Sequence, residues 1–204
     1  MDFLGTDYGG KSLDLSLIPN GSTIVSAGIG TDISFDIELI DKKSCNIIGI
    51  DPTPKSHAFI ANYQGLKNFT LIKKALNNVA NQRILIYKNV NPKDVSESFL
   101  RNHSNVCDWA YYYADTITLV DIFQKYNNIS VLKMDIEGSE YKVLEGLDFV
   151  PDSIRQICVE FHHFCTNYTE KDTLNIINLM TKFGFTKCHP QKEHSLVEVT
   201  LVRA

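Results

Sequence analysis

Asp135 and Glu137 close an apolar run containing Val131, Leu132 and Met134, and they precede Gly138 and a stretch in which Tyr141, Val143, Leu144 and Leu147 recur at helical spacing. A strand that ends in two carboxylates beside a glycine delivers acids to a site, because open α/β sheets bind ligands at the carboxyl ends of their strands. The plainer alternative is that both acids only complement the positive N-terminus of the next helix. A second apolar run, Ile154 to Phe161, ends in Glu160-Phe161-His162-His163 and brings further polar side chains to the same edge. An unperturbed imidazole titrates where a general base is useful, so Asp135, Glu137 and His162 are the candidate catalytic groups. His163 should face the opposite way on a regular strand. Asp135, Glu160 and His162 could instead hold Mg²⁺ or another hard cation, but the sequence does not place all three on one side, and no metal ligand is assigned.

A glycine turn, Gly28-Ile29-Gly30, links a short strand, Thr23 to Ala27, to a helix over Asp32 to Leu39. Without side chains there, a ligand can lie against backbone near a helix N-terminus. Asp51 ends the next strand about 20 residues on, the spacing at which an acid reaches ribose hydroxyls in nucleoside-binding folds. Alternatively, the glycines serve only a tight turn and Asp51 only starts the next one. Ile33 stands where a dinucleotide fingerprint has its third glycine, so a ligand without pyrophosphate fits better. S-adenosylmethionine is such a ligand, and Asp135 or a backbone carbonyl could hold its ammonium. The expected cofactor contacts are Gly28, Gly30, Asp51 and Asp135.

Positioning these groups takes alternating strands and helices. Asn46 to Ile50 and Phe69 to Ile72 read as further strands, with a helix running toward Tyr63 between them, and Arg83 to Tyr87 as an added short strand. Ile117 to Tyr126 is helical, and Thr169 to Phe183 is a helix with Thr169 as N-cap and Gly184 just past its end. Phe185 to Cys188 and Leu196 to Val202 read as a closing antiparallel hairpin. The alternation predicts an α/β fold, a mostly parallel sheet with helices on both faces. Residues 88–115 show little periodicity before Trp109 and Tyr111 to Tyr113, which makes them a candidate lid or substrate-binding segment. The aromatics there are either a sugar-stacking face or an ordinary strand with tyrosines along its edge, while Tyr126, Tyr141 and Phe161 read as core or helix-surface residues.

At 204 residues the chain suits one domain, 1–204, and its 44% hydrophobic and 22% charged residues are ordinary for a globular protein. A net charge of −4 argues against a broad basic surface, so no nucleic-acid partner is expected. The five cysteines have neither a CxxC pair nor a zinc-ligand rhythm and read as buried free thiols. Sequons such as Asn68-Phe-Thr and Asn128-Ile-Ser have no apolar signal segment ahead of them, and no run approaches a membrane span, so the expectation is a soluble cytoplasmic protein.

The segments SAGIGTDISFDIEL, GIDPTPKS, LKMDIEGSEYKVLEG and VEFHH resemble the FkbM-type S-adenosylmethionine-dependent methyltransferases, over about Tyr8 to the C-terminus. The resemblance implies a Rossmann-like methyltransferase fold of seven strands with the last antiparallel, and cofactor contacts from Gly28, Gly30 and Asp51. It also implies O-methylation of a hydroxyl on a sugar, glycan or small natural product. Ser26 departs from the acidic residue that many methyltransferases carry two positions before the first glycine. The rival readings are an NAD(P)-dependent oxidoreductase or epimerase, and a non-catalytic binding module on the same scaffold.

Overall fold

The computed structural model describes residues 1–204. A small hairpin, β1 (Asp2–Leu4) and β2 (Lys11–Leu13), leads into β3 (Thr23–Ala27), α1 (Ser34–Lys43), β4 (Asn46–Ile50), α2 (Pro54–Asn62) and β5 (Phe69–Ile72). Then come β6 (Ala75–Leu76), β7 (Arg83–Asn89), β8 (Val106–Ile117), α3 (Leu119–Lys125), β9 (Ile129–Met134), α4 (Glu140–Glu145) and β10 (Gln156–Glu160). The chain closes with α5 (Glu170–Met180), β11 (Phe185–Pro190) and β12 (Glu198–Arg203). The main sheet has seven strands in the order β11-β12-β10-β9-β3-β4-β5. β12 runs antiparallel to both β10 and β11, and the other pairings are parallel, so this is the fold expected from the sequence, with its antiparallel last strand.

Period-two alternation divides the strand residues between two apolar layers. Val25, Leu132 and Val159 pack with Leu119, Ile122, Tyr141, Leu144, Ile176 and Met180 on one face. Ile24, Ile47 and Val131 pack with Leu4, Leu13, Phe35 and Leu39 on the other. α5 starts at a reciprocal cap, in which the Thr169 hydroxyl accepts from the Asp172 amide while the Asp172 carboxylate accepts from the Thr169 amide. No helix is long and apolar enough to cross a membrane. All five cysteines are free, and Cys188, unlike the other four, is exposed.

The segment 88–115 takes the strand alternative for its aromatics. Its second half belongs to the 12-residue strand β8, which pairs antiparallel with β7 and parallel with β6 in a separate three-stranded sheet. The pattern misleads because the bulky residues point outward: Trp109 is 81% exposed and Tyr111 and Tyr113 are about half exposed, whereas Tyr112 and Ala114 face a small buried cluster. Only the loop before β8 remains irregular, and it lies over the main sheet's carboxyl edge.

β3 sits between β9 and β4, so the chain leaves it in one direction for β4 and β5 and returns on its other side through β9 and β10. That switch point opens the crevice where α/β sheets bind ligands. The backbones at its floor nearly touch. The Asp135 amide donates to Ala27 O at 3.1 Å, the Gly28 amide donates to Ile50 O at 2.9 Å, and Gly28 has φ +78. A Cβ on Gly28 would lie 1.6 Å from the Asp135 carbonyl oxygen. Gly28→Ala should therefore destabilise the protein by more than about 4 kcal/mol, read as a collapse of the urea midpoint or as insoluble protein.

Candidate active site

Asp51 braces the glycine turn from β4. Its Oδ2 accepts from the Ile29 and Gly30 amides at 2.8 and 2.9 Å, and its Oδ1 accepts from the Thr53 amide and hydroxyl at 2.7 and 2.6 Å. With two bonds at each oxygen and the residue buried, the carboxylate is not free to take both ribose hydroxyls, which corrects the role its spacing suggests. Lys133, a cation inside the buried strand β9, braces the same turn by donating to Gly28 O at 2.5 Å, and its Nζ is 4.0 Å from Asp135. Asp36 on α1 is buried beside the Ser26 hydroxyl. Burial pushes its carboxyl up to about 6 against the pull of Lys133.

The turn after β9 is built around Glu140, which is fully buried and accepts from the Ile136 amide at 2.7 Å and the Gly138 amide at 2.9 Å. That wrap holds Glu137 at φ 55, a left-handed conformation uncommon outside glycine, and turns its side chain into the crevice. Glu140 also bonds His162 Nδ1 at 3.0 Å. His162 Nε2 then faces Glu137 Oε2 at 3.4 Å, Asp135 Oδ1 at 3.7 Å and Glu160 Oε1 at 3.9 Å. His163 turns away onto Thr173.

These groups do not titrate alike. Burial alone would lower His162, but Glu140, Glu137 and Asp135 outweigh it and push its pKa up to about 10. The imidazole therefore holds its proton at neutral pH when no other cation is beside it, which corrects its assignment as a general base of ordinary pKa. Burial tends to raise Asp135, but Lys133, Lys11 and His162 hold it below the usual carboxylate range. Glu160 is raised by burial and by Asp135, even though Lys11 bonds its Oε2 at 2.9 Å. That ion pair also corrects the alternative cation trio. The carboxylates grouped with His162 Nε2, with ligand atoms within 4.8 Å of one another, are those of Asp135 and Glu137 rather than Glu160.

The loop between β7 and β8 covers this cluster. Ser98 donates to Glu137 O at 2.6 Å, Val95 lies against Gly30, and Leu100 packs where a Gly138 side chain would sit. His103 Nδ1 accepts from the Asn105 amide, which leaves the proton on Nε2, 3.1 Å from Glu137 Oε2. Glu97, also on this loop, lines the crevice beside the Tyr112 hydroxyl, and burial raises its carboxyl above the usual range. Sequence reasoning missed Glu97, Glu140, Lys11 and Lys133. A lysine inside an apolar strand was the one available signal, for Lys133. Gly28, Gly30, Asp51, Asp135, Glu137 and His162 all line one cavity of about 300 Å³, at the low end for a small-molecule site.

A Rossmann-like α/β sheet with a glycine turn and strand-end acids at its switch point defines a ligand-binding scaffold shared by many enzymes. The chain belongs to the FkbM methyltransferase family: the methyltransferase FkbM domain matches residues 22–187. It is accordingly an S-adenosylmethionine-dependent methyltransferase. Among solved structures it is similar to M. capricolum TrmK in complex with S-adenosyl-homocysteine (14% identity, TM-score 0.44, 93% of this chain and 67% of that one). It is also similar to a mutant of the 16S rRNA (adenine(1408)-N(1))-methyltransferase from Catenulisporales acidiphilia (11% identity, TM-score 0.40, 99% and 98%). No curated protein matches the chain.

Asp36 gives the site's support a pH signature. Its folded pKa lies above its unfolded one, so its contribution to stability is complete below the unfolded value and is lost as pH rises through about 6. Asp36→Asn should thus stabilise the protein by roughly 1–3 kcal/mol at about pH 8 and change little at about pH 4, measured by urea unfolding.

Proposed function

We propose that the protein transfers the methyl group of S-adenosylmethionine to a hydroxyl of a sugar or another small polyhydroxylated acceptor. The observation that carries this reading is the run of Asp135, Glu137 and Glu160 along one end of the crevice, beside the glycine turn. Carboxylates accept hydrogen bonds from hydroxyls, and a concentration of them opposes a phosphate backbone, so a small acceptor fits better than nucleic acid. Family membership counts against the NAD(P) reading, and an intact crevice counts against a non-catalytic module.

When bound, the cofactor supplies an electrophilic methyl carbon on a sulfonium. The Gly28–Gly30 turn would admit it against backbone, and Glu97 on the crevice wall would accept from the ribose in place of the fully committed Asp51. The protein's first task is alignment, since in-line displacement depends on holding oxygen, carbon and sulfur together. Its second is to take a proton. Glu160, raised by its surroundings, is better matched to that task than Asp135, which is lowered. Glu160 would accept the hydroxyl proton, freeing the acceptor oxygen's electron pair for the methyl group that the cofactor would supply. Asp135 and Glu137 orient the acceptor, and His162, held by Glu140, positions them both.

Thermal shift should show stabilisation by S-adenosylmethionine and S-adenosylhomocysteine but not by NAD or NADP, and a preference for NAD(P) would overturn the reading. Glu97→Gln should weaken S-adenosylhomocysteine binding about tenfold with the unliganded melting temperature unchanged, whereas Asp51→Ala should lower both. Product mass across a panel of glycosides and small polyols tests the acceptor class, and methylation confined to nitrogen or to nucleic acid would exclude it.

A further inference from the structure

His162 is held through one ring nitrogen and turns the other toward the acidic end of the crevice. Its Nδ1 donates to the fully buried Glu140, so Nε2 is the atom presented to Asp135 and Glu137. His162 is only 3% exposed, yet Nε2 makes no hydrogen bond; the nearest carboxylate oxygens of Glu137 and Asp135 stand at 3.4 and 3.7 Å. Those separations are long for hydrogen bonds, and the three ligand atoms, all within 4.8 Å of one another, would have to draw in slightly around an ion with bonds of about 2.1 Å.

We propose that His162 Nε2, Asp135 and Glu137 bind a divalent cation, Mg²⁺ or Mn²⁺, at the acceptor end of the crevice. An imidazole with two carboxylates suits such hard or borderline ions. The surroundings carry the outer support that metal ligands require. Glu140 orients His162 through Nδ1, and His103, whose Nε2 bonds Cys165 Sγ, lies 3.1 Å from Glu137. Three protein ligands leave positions open for water and for the acceptor oxygen, whose proton the ion would loosen. Glu160 stays outside the trio, tied to Lys11, and remains the proton acceptor. The inference rests on the hydroxyl-methylation reading and deepens it.

Mn²⁺ titrated into the full chain without acceptor, followed by loss of the free-ion paramagnetic resonance signal, should reveal one saturable site that Mg²⁺ competes for. Asp135→Asn and Glu137→Gln, both at partly exposed positions, should each weaken it at least about tenfold, and Glu140→Gln about 10–100-fold, with circular dichroism confirming that each variant is folded. Absence of a saturable site at millimolar Mn²⁺, or unchanged affinity in a folded Asp135→Asn/Glu137→Gln double variant, would overturn the cation site. S-adenosylhomocysteine binding measured on the same samples keeps the two readings apart. A protein that binds S-adenosylhomocysteine but not Mn²⁺ loses the cation alone, while one that binds Mn²⁺ but not S-adenosylhomocysteine loses the methyltransfer chemistry around it.

Discussion

The near-contact between Gly28 and the Asp135 carbonyl sets the distance between the two halves of the crevice. No side chain fits between them, so the ends of β3 and β9 are locked by backbone alone, and the turns leaving the two strands are fixed in register with each other. Asp51 then adds β4 to the same unit through the Ile29 and Gly30 amides, and Lys133 adds a cation beneath it. The glycine turn is therefore held from three strands at once. A pocket floor made this way needs little rearrangement to receive a ligand.

Over this floor the protein gathers several carboxylates with few cations to offset them. Lys11 bonds Glu160 and Glu198, Lys133 stands near Asp135, and His162 lies among the rest. Burying like charges together is costly unless each finds a partner. Glu140 avoids the penalty by wrapping its own turn, accepting from two amides and the His162 ring. The others remain turned toward the cavity and leave this end of the crevice richer in acids than in cations.

The architecture was legible because it is written in periodicity. The strand-glycine-helix opening, the apolar runs ending in acids and the capped helix at Thr169 each arise from local residue order. β8 was legible only as one of two alternatives, since Trp109, Tyr111 and Tyr113 put their bulk toward solvent and blur the alternation. Within the site, residue types pointed to the right edge of the sheet but not to each group's partners. Asp51 could be read as an acid at the right spacing, but its saturation by four donors depends on how Thr53 and the turn fold back. The choice of Glu137 over Glu160 beside His162 depends on Lys11, more than a hundred residues away in sequence. Glu140 looked like an ordinary first-turn helix residue. Partnerships of this kind arise from tertiary placement and leave no spacing to read.

The loop between β7 and β8 has its anchors on the very residues it covers: Ser98 on the Glu137 carbonyl, His103 beside the Glu137 carboxylate, Leu100 over Gly138. It cannot swing outward and leave the acidic end assembled. The exposed Tyr8, carried by the turn of the N-terminal hairpin, stands near the same acids from the other side of the chain, and desolvation of its hydroxyl together with Asp135, Glu137 and Glu160 raises its phenol above the usual range. The reactive end is thus enclosed by two segments far apart in sequence, and a change in either one alters the surroundings of the same carboxylates.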